Sequence, residues 1–183
     1  MRQMSGFGRF FGHLRTVTRH RHKVIAHCSK AGILWQGLRH DLSKYSPTEF
    51  FQGVRYFDGT HSPTEDERRT EGYSLAWMHH KGRNRHHWEY WTDYSIERGG
   101  YAPMPMPRRY LAEMLCDRIA ASKIYKGKAY DNGAPLAYLM HGKLRDSMHP
   151  DTRAALERFL TLLHDEGEDA MFAALRAWVR EKQ

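Results

Sequence analysis

The sequence predicts an all-α, single-domain helical bundle on three observations. Apolar residues recur at helical spacing through long windows, serine–proline pairs announce helix starts, and no run of alternating apolar and polar residues reaches strand length. With 183 residues, 40% of them hydrophobic and 13% aromatic, the chain can bury one good core and needs no second domain. Residues 1–183 therefore read as one domain, with 126–183 as a C-terminal helical extension packed on it.

The first predicted helix runs from Phe11 to Ala31. Leu14, Val17, Val24, Ile25, Cys28 and Ala31 form its apolar stripe, and Gly32 provides the stop. A short second helix carries Ile33 to Asp41. The tetrapeptide Ser46-Pro47-Thr48-Glu49 returns as Ser62-Pro63-Thr64-Glu65, and each copy places serine at the N-cap, proline at the first helical position and glutamate in a capping box. The residues that follow the two copies differ, so they mark two helix starts and no repeat architecture. The helix from Pro63 is expected to reach about Lys81 and end at Gly82, delivering Trp77, His79 and His80 in its last turns. A short aromatic helix from about His86 to Tyr94 follows. Next comes a Gly/Pro-rich linker, Gly99 to Pro107, that cannot propagate a helix. Its Tyr101 and Met104–Pro107 are candidates for a lid. Pro107 opens the next helix, to about Tyr125, and a turn-rich segment, Lys126 to Pro135, leads into a terminal helical array.

Composition narrows the function classes. Cys28 and Cys116 both stand in apolar helical contexts with no C-x-x-C, which argues against a disulfide framework or a zinc ribbon and for a reducing, cytoplasmic setting. The N-terminal stretch to Gly12 contains Arg2 and Arg9 but no apolar run near the ~20 residues of a membrane span, so no membrane partner is expected. The net charge of +8 suits either a basic solubilising surface or a polyanionic partner such as nucleic acid. Of the basic groups, only Lys81, Arg83 and Arg85 are interleaved with histidines and aromatics, where an anionic substrate is expected. Oligomeric state is open.

The chemistry concentrates around His40-Asp41. Adjacent imidazole and carboxylate at a helix end can hold a divalent ion, and candidate partners lie before it (His20, His22, His27) and after it (His79, His80, His86, His87). Asp117 sits on a helix face with Glu113, Met114, Ala120, Ala121 and Ile124. An inward carboxylate requires a partner, either a metal or a structural arginine such as Arg118. Glu49 is read as a capping-box residue, with pairing to a ligating histidine as the alternative. Trp88, Tyr90, Trp91 and Tyr94 are read as core packing, with nucleobase stacking as the alternative.

This order of His, His-Asp and distant Asp resembles the HD superfamily of metal-dependent phosphohydrolases. His22-Lys23, His40-Asp41-Leu42-Ser43-Lys44, Ser46 to Phe50, Arg83 to Trp91 and Glu113 to Asp117 look like a narrower HD-like family of unknown function from bacteria and phages. The resemblance implies an HD-like helical bundle holding one or two divalent ions, with Mn, Fe, Zn, Ni and Mg all compatible. Helical phase favours His20 as the first ligand, whereas the family-like His-Lys pair favours His22, and His22 is taken. The expected metal set is thus His22, His40, Asp41, His80, His87 and Asp117. Single-metal HD nucleotidases carry a glutamate three residues beyond the doublet; here Lys44 stands there, which points to a two-metal or modified site. Lys44 and His86 are the expected catalytic groups, and Lys44, Arg83 and Asn84 the expected substrate contacts. The expected activity is hydrolysis of a nucleotide or other small phosphate ester by a metal-activated water. The alternatives are a dinuclear-iron oxygenase on the same scaffold and a non-catalytic, metal-stabilised nucleic-acid-binding protein.

Overall fold

Helix α1 (Gly6–Lys30) is the spine of the molecule. Ser5 caps it by accepting from Gly8 N at 3.1 Å, and Gly32, with φ +78°, turns the chain away from its end. The computed structural model describes residues 5–141 and 146–181. Arg2 and two short stretches of the predicted terminal array, 142–145 and 182–183, lie outside the described residues.

Against α1 lies α2 (Leu34–Arg39). A 3-10 turn, Leu42–Tyr45, leads on to α3 (Pro47–Arg55), α4 (Pro63–Glu71) and α5 (Leu75–Lys81). The single helix expected from Pro63 to Lys81 is thus two. Gly72 adopts φ +82° and ends the first, while Ser74 begins the second by accepting from Trp77 N at 3.0 Å. The buried Glu67 accepts from Leu75 N at 3.1 Å, so the break is held by bonds across it.

The expected aromatic helix over His86–Tyr94 is also corrected. Only Trp88–Tyr90 forms a 3-10 turn, and the chain then makes an antiparallel hairpin, β1 (Thr92–Ser95) with β2 (Gly100–Pro103), in register Thr92 to Pro103 and Ser95 to Gly100. Thr92 and Tyr94 favour extended backbone, and Gly99 at φ +61° supplies the turn. Strands this short carry too few alternating positions to show a strand period in the sequence. Tyr94 and Tyr101 are exposed, while Trp88 and Trp91 lean on the core.

Helix α6 (Arg108–Lys126), α7 (Ala134–His141) and α8 (Pro150–Arg180) complete a predominantly helical fold. Gly167, with φ +86°, kinks α8. The core lies where α1, α6 and α8 meet, with Leu111, Leu115, Ile119, Leu156, Phe159, Leu160, Leu163, Met171 and Leu175 all at 1% exposure or less. The segment read as an extension therefore supplies much of the core. Each such side chain contributes about 1.5–3 kcal/mol on burial, so α6 is held firmly where its polar face must be placed. No described helix is long and apolar enough to cross a membrane.

Candidate metal centre

Helix α1 buries His13, Val17, His20, Val24 and His27 at alternating three- and four-residue steps, one continuous inward stripe. His20 lies on that stripe and His22, two residues on, is exposed. His40 ends α2 in extended conformation. Asp41 follows with φ 53°, the one described non-glycine residue in the left-handed region. That conformation is uncommon outside glycine and costs of order 1–3 kcal/mol, although aspartate tolerates it better than most residues. It swings the Asp41 carboxylate back beneath His40 just before the 3-10 turn carries the chain off.

His80 comes from the last turn of α5, and His86 and His87 from the segment after it. Glu113 and Asp117, four residues apart, share a face of α6. These elements converge. His20, His40, Asp41 and Asp117 form one group, Asp41, His80, His86 and His87 a second, and His40, His86 and Glu113 a third. Within each group the potential ligand atoms lie within 4.8 Å of one another. Asp41 belongs to both four-residue groups.

Close approach here is not ordinary hydrogen bonding. His20 Nε2 lies 2.9 Å from Asp117 Oδ1, His40 Nε2 3.3 Å from Asp41 Oδ2, and His80 Nε2 and His86 Nε2 are 3.2 and 3.4 Å from Asp41 Oδ1. Yet Nε2 of His20, His40, His86 and His87 and both oxygens of Asp41 are buried without a hydrogen-bond partner. Buried polar atoms are normally satisfied, and leaving one unpaired costs about 1–3 kcal/mol. Atoms that converge on a common point without aiming at one another form a donor set for a cation. The N and O donors suit borderline and hard divalent ions, so these residues fit a metal ion.

The opposite ring edges are fixed. His40 Nδ1 and His86 Nδ1 donate to Glu113 Oε1 at 3.0 and 3.2 Å, and Gln36 Nε2 donates to Glu113 Oε2 at 2.9 Å. His80 Nδ1 and His79 Nδ1 donate to the two oxygens of Glu49, both at 2.7 Å. A carboxylate on Nδ1 sets the tautomer, so the Nε2 lone pairs of His40, His80 and His86 turn inward. Glu49 is thus occupied by histidines. Its capping box is half formed, with Ser46 Oγ accepting from Glu49 N at 3.4 Å and no return bond from the glutamate.

Burial would raise the carboxyl pKa values, but hydrogen bonds and positive charge reverse the effect. Glu113 is drawn down to about 2 by its bonds from His40 and His86, and Asp117 falls well below its usual range beside His20 and His40. Asp41 is likewise lowered by His40, Lys44 and His80. Burial lowers His20 and, with His86 and His80 adjacent, drives His87 well down, so both are neutral and able to ligate. Asp41, Glu49, Glu113 and Asp117 bring four carboxylates into the cluster; Lys44 Nζ lies 2.7 Å from Asp41 Oδ2, and the carboxylates around His40 and His80 hold both imidazoles above their usual range. A bound cation would take the place of the protons those two histidines carry.

Of the residues expected from the sequence, His40, Asp41, His80, His87 and Asp117 come together. His22 is corrected to His20, since the inward phase of α1 excludes His22. His86 joins the ligand groups, its Nδ1 3.2 Å from Glu113 Oε1 and its buried Nε2 3.4 Å from Asp41 Oδ1. Arg83 is exposed and donates to His79 O at 3.3 Å, a helix-end contact. Asn84 donates to Ser43 Oγ and His80 O, each at 2.8 Å, and braces the histidine segment against the Asp41 turn. Asp117 meets His20, not Arg118. Glu49 takes the alternative its sequence offers, pairing with His79 and His80, whereas Glu113 carries no expected role, although its i, i+4 spacing with Asp117 is the available signal.

A family model described as a family of unknown function, DUF5662, matches residues 9–162. The chain belongs to this family. The span characteristic of DUF5662 includes every member of the donor set, from His20 to Asp117, together with Glu49 and Glu113. It stops inside α8, before the Gly167 kink. No curated protein and no solved structure matches the chain.

Proposed function

We propose that this DUF5662 protein is an HD-type metal-dependent phosphohydrolase, holding two divalent ions with Asp41 shared between them. The observation that carries the reading is the pair of four-residue donor groups meeting at Asp41, whose two buried oxygens make no hydrogen bond, although Lys44 Nζ lies 2.7 Å from Oδ2. His20, His40 and Asp117 would hold one ion and His80, His86 and His87 the other. Ions held there supply Lewis acidity, which brings the pKa of water towards neutrality and offsets charge on a phosphoryl group.

The chain's own residues prepare the rest. Glu113 and Glu49 hold the imidazoles in the ligating tautomer. Lys44 stays protonated because Asp41 and Asp117 outweigh the effect of its burial. Its side chain is 32% exposed, against 2% for Asp41, so it stands at the open edge of the cluster as a counter-charge for phosphoryl oxygens. Hydrolysis joins water oxygen to phosphorus, breaks the ester P–O bond and sends one proton to the leaving oxygen. His86 Nδ1 is held by Glu113 and its Nε2 would be taken by an ion, so the leaving oxygen takes that proton from solvent.

Elemental analysis of protein purified without chelator, paired with a screen of monoesters, diesters and nucleotides, tests this reading. We expect about two equivalents of divalent metal and chelator-sensitive phosphate release, both lost in Asp41→Ala. A dinuclear iron centre that consumes oxygen and releases no phosphate would replace it with an oxygenase.

A further inference from the structure

A cavity of about 330 Å³ opens beside the donor cluster, lined by Thr16, Arg19, Phe57, Thr60, His61 and Tyr125 among others. Its walls continue the faces that carry the site. Thr16 lies one turn before His20 on α1, and Ile124, also in the lining, two turns beyond Asp117 on α6. Tyr125 is close enough to Lys44 to act on its charge. Asp117 and Lys44 are the more accessible members of the cluster, 17% and 32% exposed, whereas His40, Asp41 and His86 are at most 2%.

The lining favours an anion. Arg19 is exposed and has no hydrogen-bond or ion-pair partner among the described residues. The nearest carboxylate in the wall loop, Asp58, is already occupied, accepting from Thr60 N at 2.7 Å, His61 N at 3.0 Å and Thr60 Oγ1 at 2.6 Å. Those bonds hold the loop in place and keep the carboxylate ionised but occupied, with His61 Nδ1 3.2 Å from its Oδ2. A guanidinium left without a partner at the rim of such a cavity is suited to bidentate recognition of a phosphate-like group.

Resting on the phosphohydrolase reading, we propose that this cavity receives the leaving half of a substrate bearing a second phosphate-like anion, with Arg19 as the counter-charge for that anion. The substrate class is thus an organic bisphosphate, one end at the donor cluster and Lys44 and the other at Arg19. The volume accommodates a leaving group of sugar size.

Calorimetric titration of manganese-loaded protein with fructose 6-phosphate and fructose 1,6-bisphosphate, which differ by one phosphate, tests the assignment. The bisphosphate should bind more tightly. Arg19→Ala should weaken the bisphosphate about tenfold and the monophosphate less than twofold, the loss expected for one charge-assisted contact. Arg19→Lys should recover part of the difference, and Arg15→Ala, one turn away and outside the cavity, should change neither. Equal affinities, no binding of either sugar, an equal loss for both, or an equal effect of Arg15→Ala overturns the assignment, the last in favour of a diffuse polyanion surface. Turnover without Arg19 dependence removes only this inference. Arg19-dependent binding without phosphate release from any ester removes only the phosphohydrolase.

Discussion

His20 and His22 differ by two residues on α1 and by nearly the full width of the helix. One points at Asp117 and the other at solvent. Their substitutions should separate cleanly. His20→Ala is expected to weaken metal affinity at least tenfold while His22→Ala leaves it unchanged, measured by elemental analysis and metal titration of the folded variants. Retention of full metal content by His20→Ala would remove α1 from the site. The preference for His22 rested on a local dipeptide, whereas the heptad series His13, His20, His27 was legible in the same sequence and has the inward phase. Asp41 was legible as a candidate donor but not as the residue shared by two groups. Its left-handed backbone depends on α2 ending at Arg39 and the next turn starting at Leu42, a local geometry that no residue pattern states.

Helix α2 reaches its position because Gly37 permits close contact with α1. A Cβ at Gly37 would lie 2.6 Å from Cys28 Cβ and 3.2 Å from the Ile25 backbone, so Gly37→Ala must push the two helices apart. Because α2 leads directly into His40 and Asp41, that shift should do two things. Denaturant unfolding should show a loss of about 1–3 kcal/mol, the usual cost of overpacking, and metal titration should show weakened binding. Stability lost with metal affinity intact would mean that the Asp41 turn is positioned independently of α2. The same scale accounts for the two departures from the expected helices over 63–103. Both the break between α4 and α5 and the β1–β2 hairpin depend on single residues, Gly72, Ser74 and Gly99, and a window long enough to detect helical period averages over them.

Across the molecule, buried neutral histidines tie stability to pH. Burial lowers both His13 and His27 to about 4, and His27 Nδ1 donates to Cys116 O at 3.1 Å inside the core. The unfolded chain binds these protons more readily than the folded one. Stability is therefore complete above the unfolded value of 6.5 and is lost as pH falls through that value towards 4. Each histidine contributes a slope near 1.4 kcal/mol per pH unit in that window, so His27 alone should cost roughly 2 kcal/mol by pH 5. Urea midpoints at pH 7 and pH 5 check this: the unmodified protein should lose stability on acidification and His27→Gln should lose measurably less. Equal losses would show that His27 is already protonated in the fold.

The all-α class, the helix starts at Pro47 and Pro63, much of the inward stripe of α1 and the pool of histidines and aspartates follow from the sequence itself, because helical period, capping and side-chain chemistry act over a few neighbouring residues. Tertiary structure alone decided which members of that pool meet. Asp41 and Asp117 lie far apart in the chain, and so do Glu49 and His80 or His40 and Glu113. Only the packing of α1 and α2 on α6, fixed by a core that α8 completes, brings their donor atoms within a few ångströms. The same packing leaves Lys44 and Arg19 more accessible than the buried His40, Asp41 and His86.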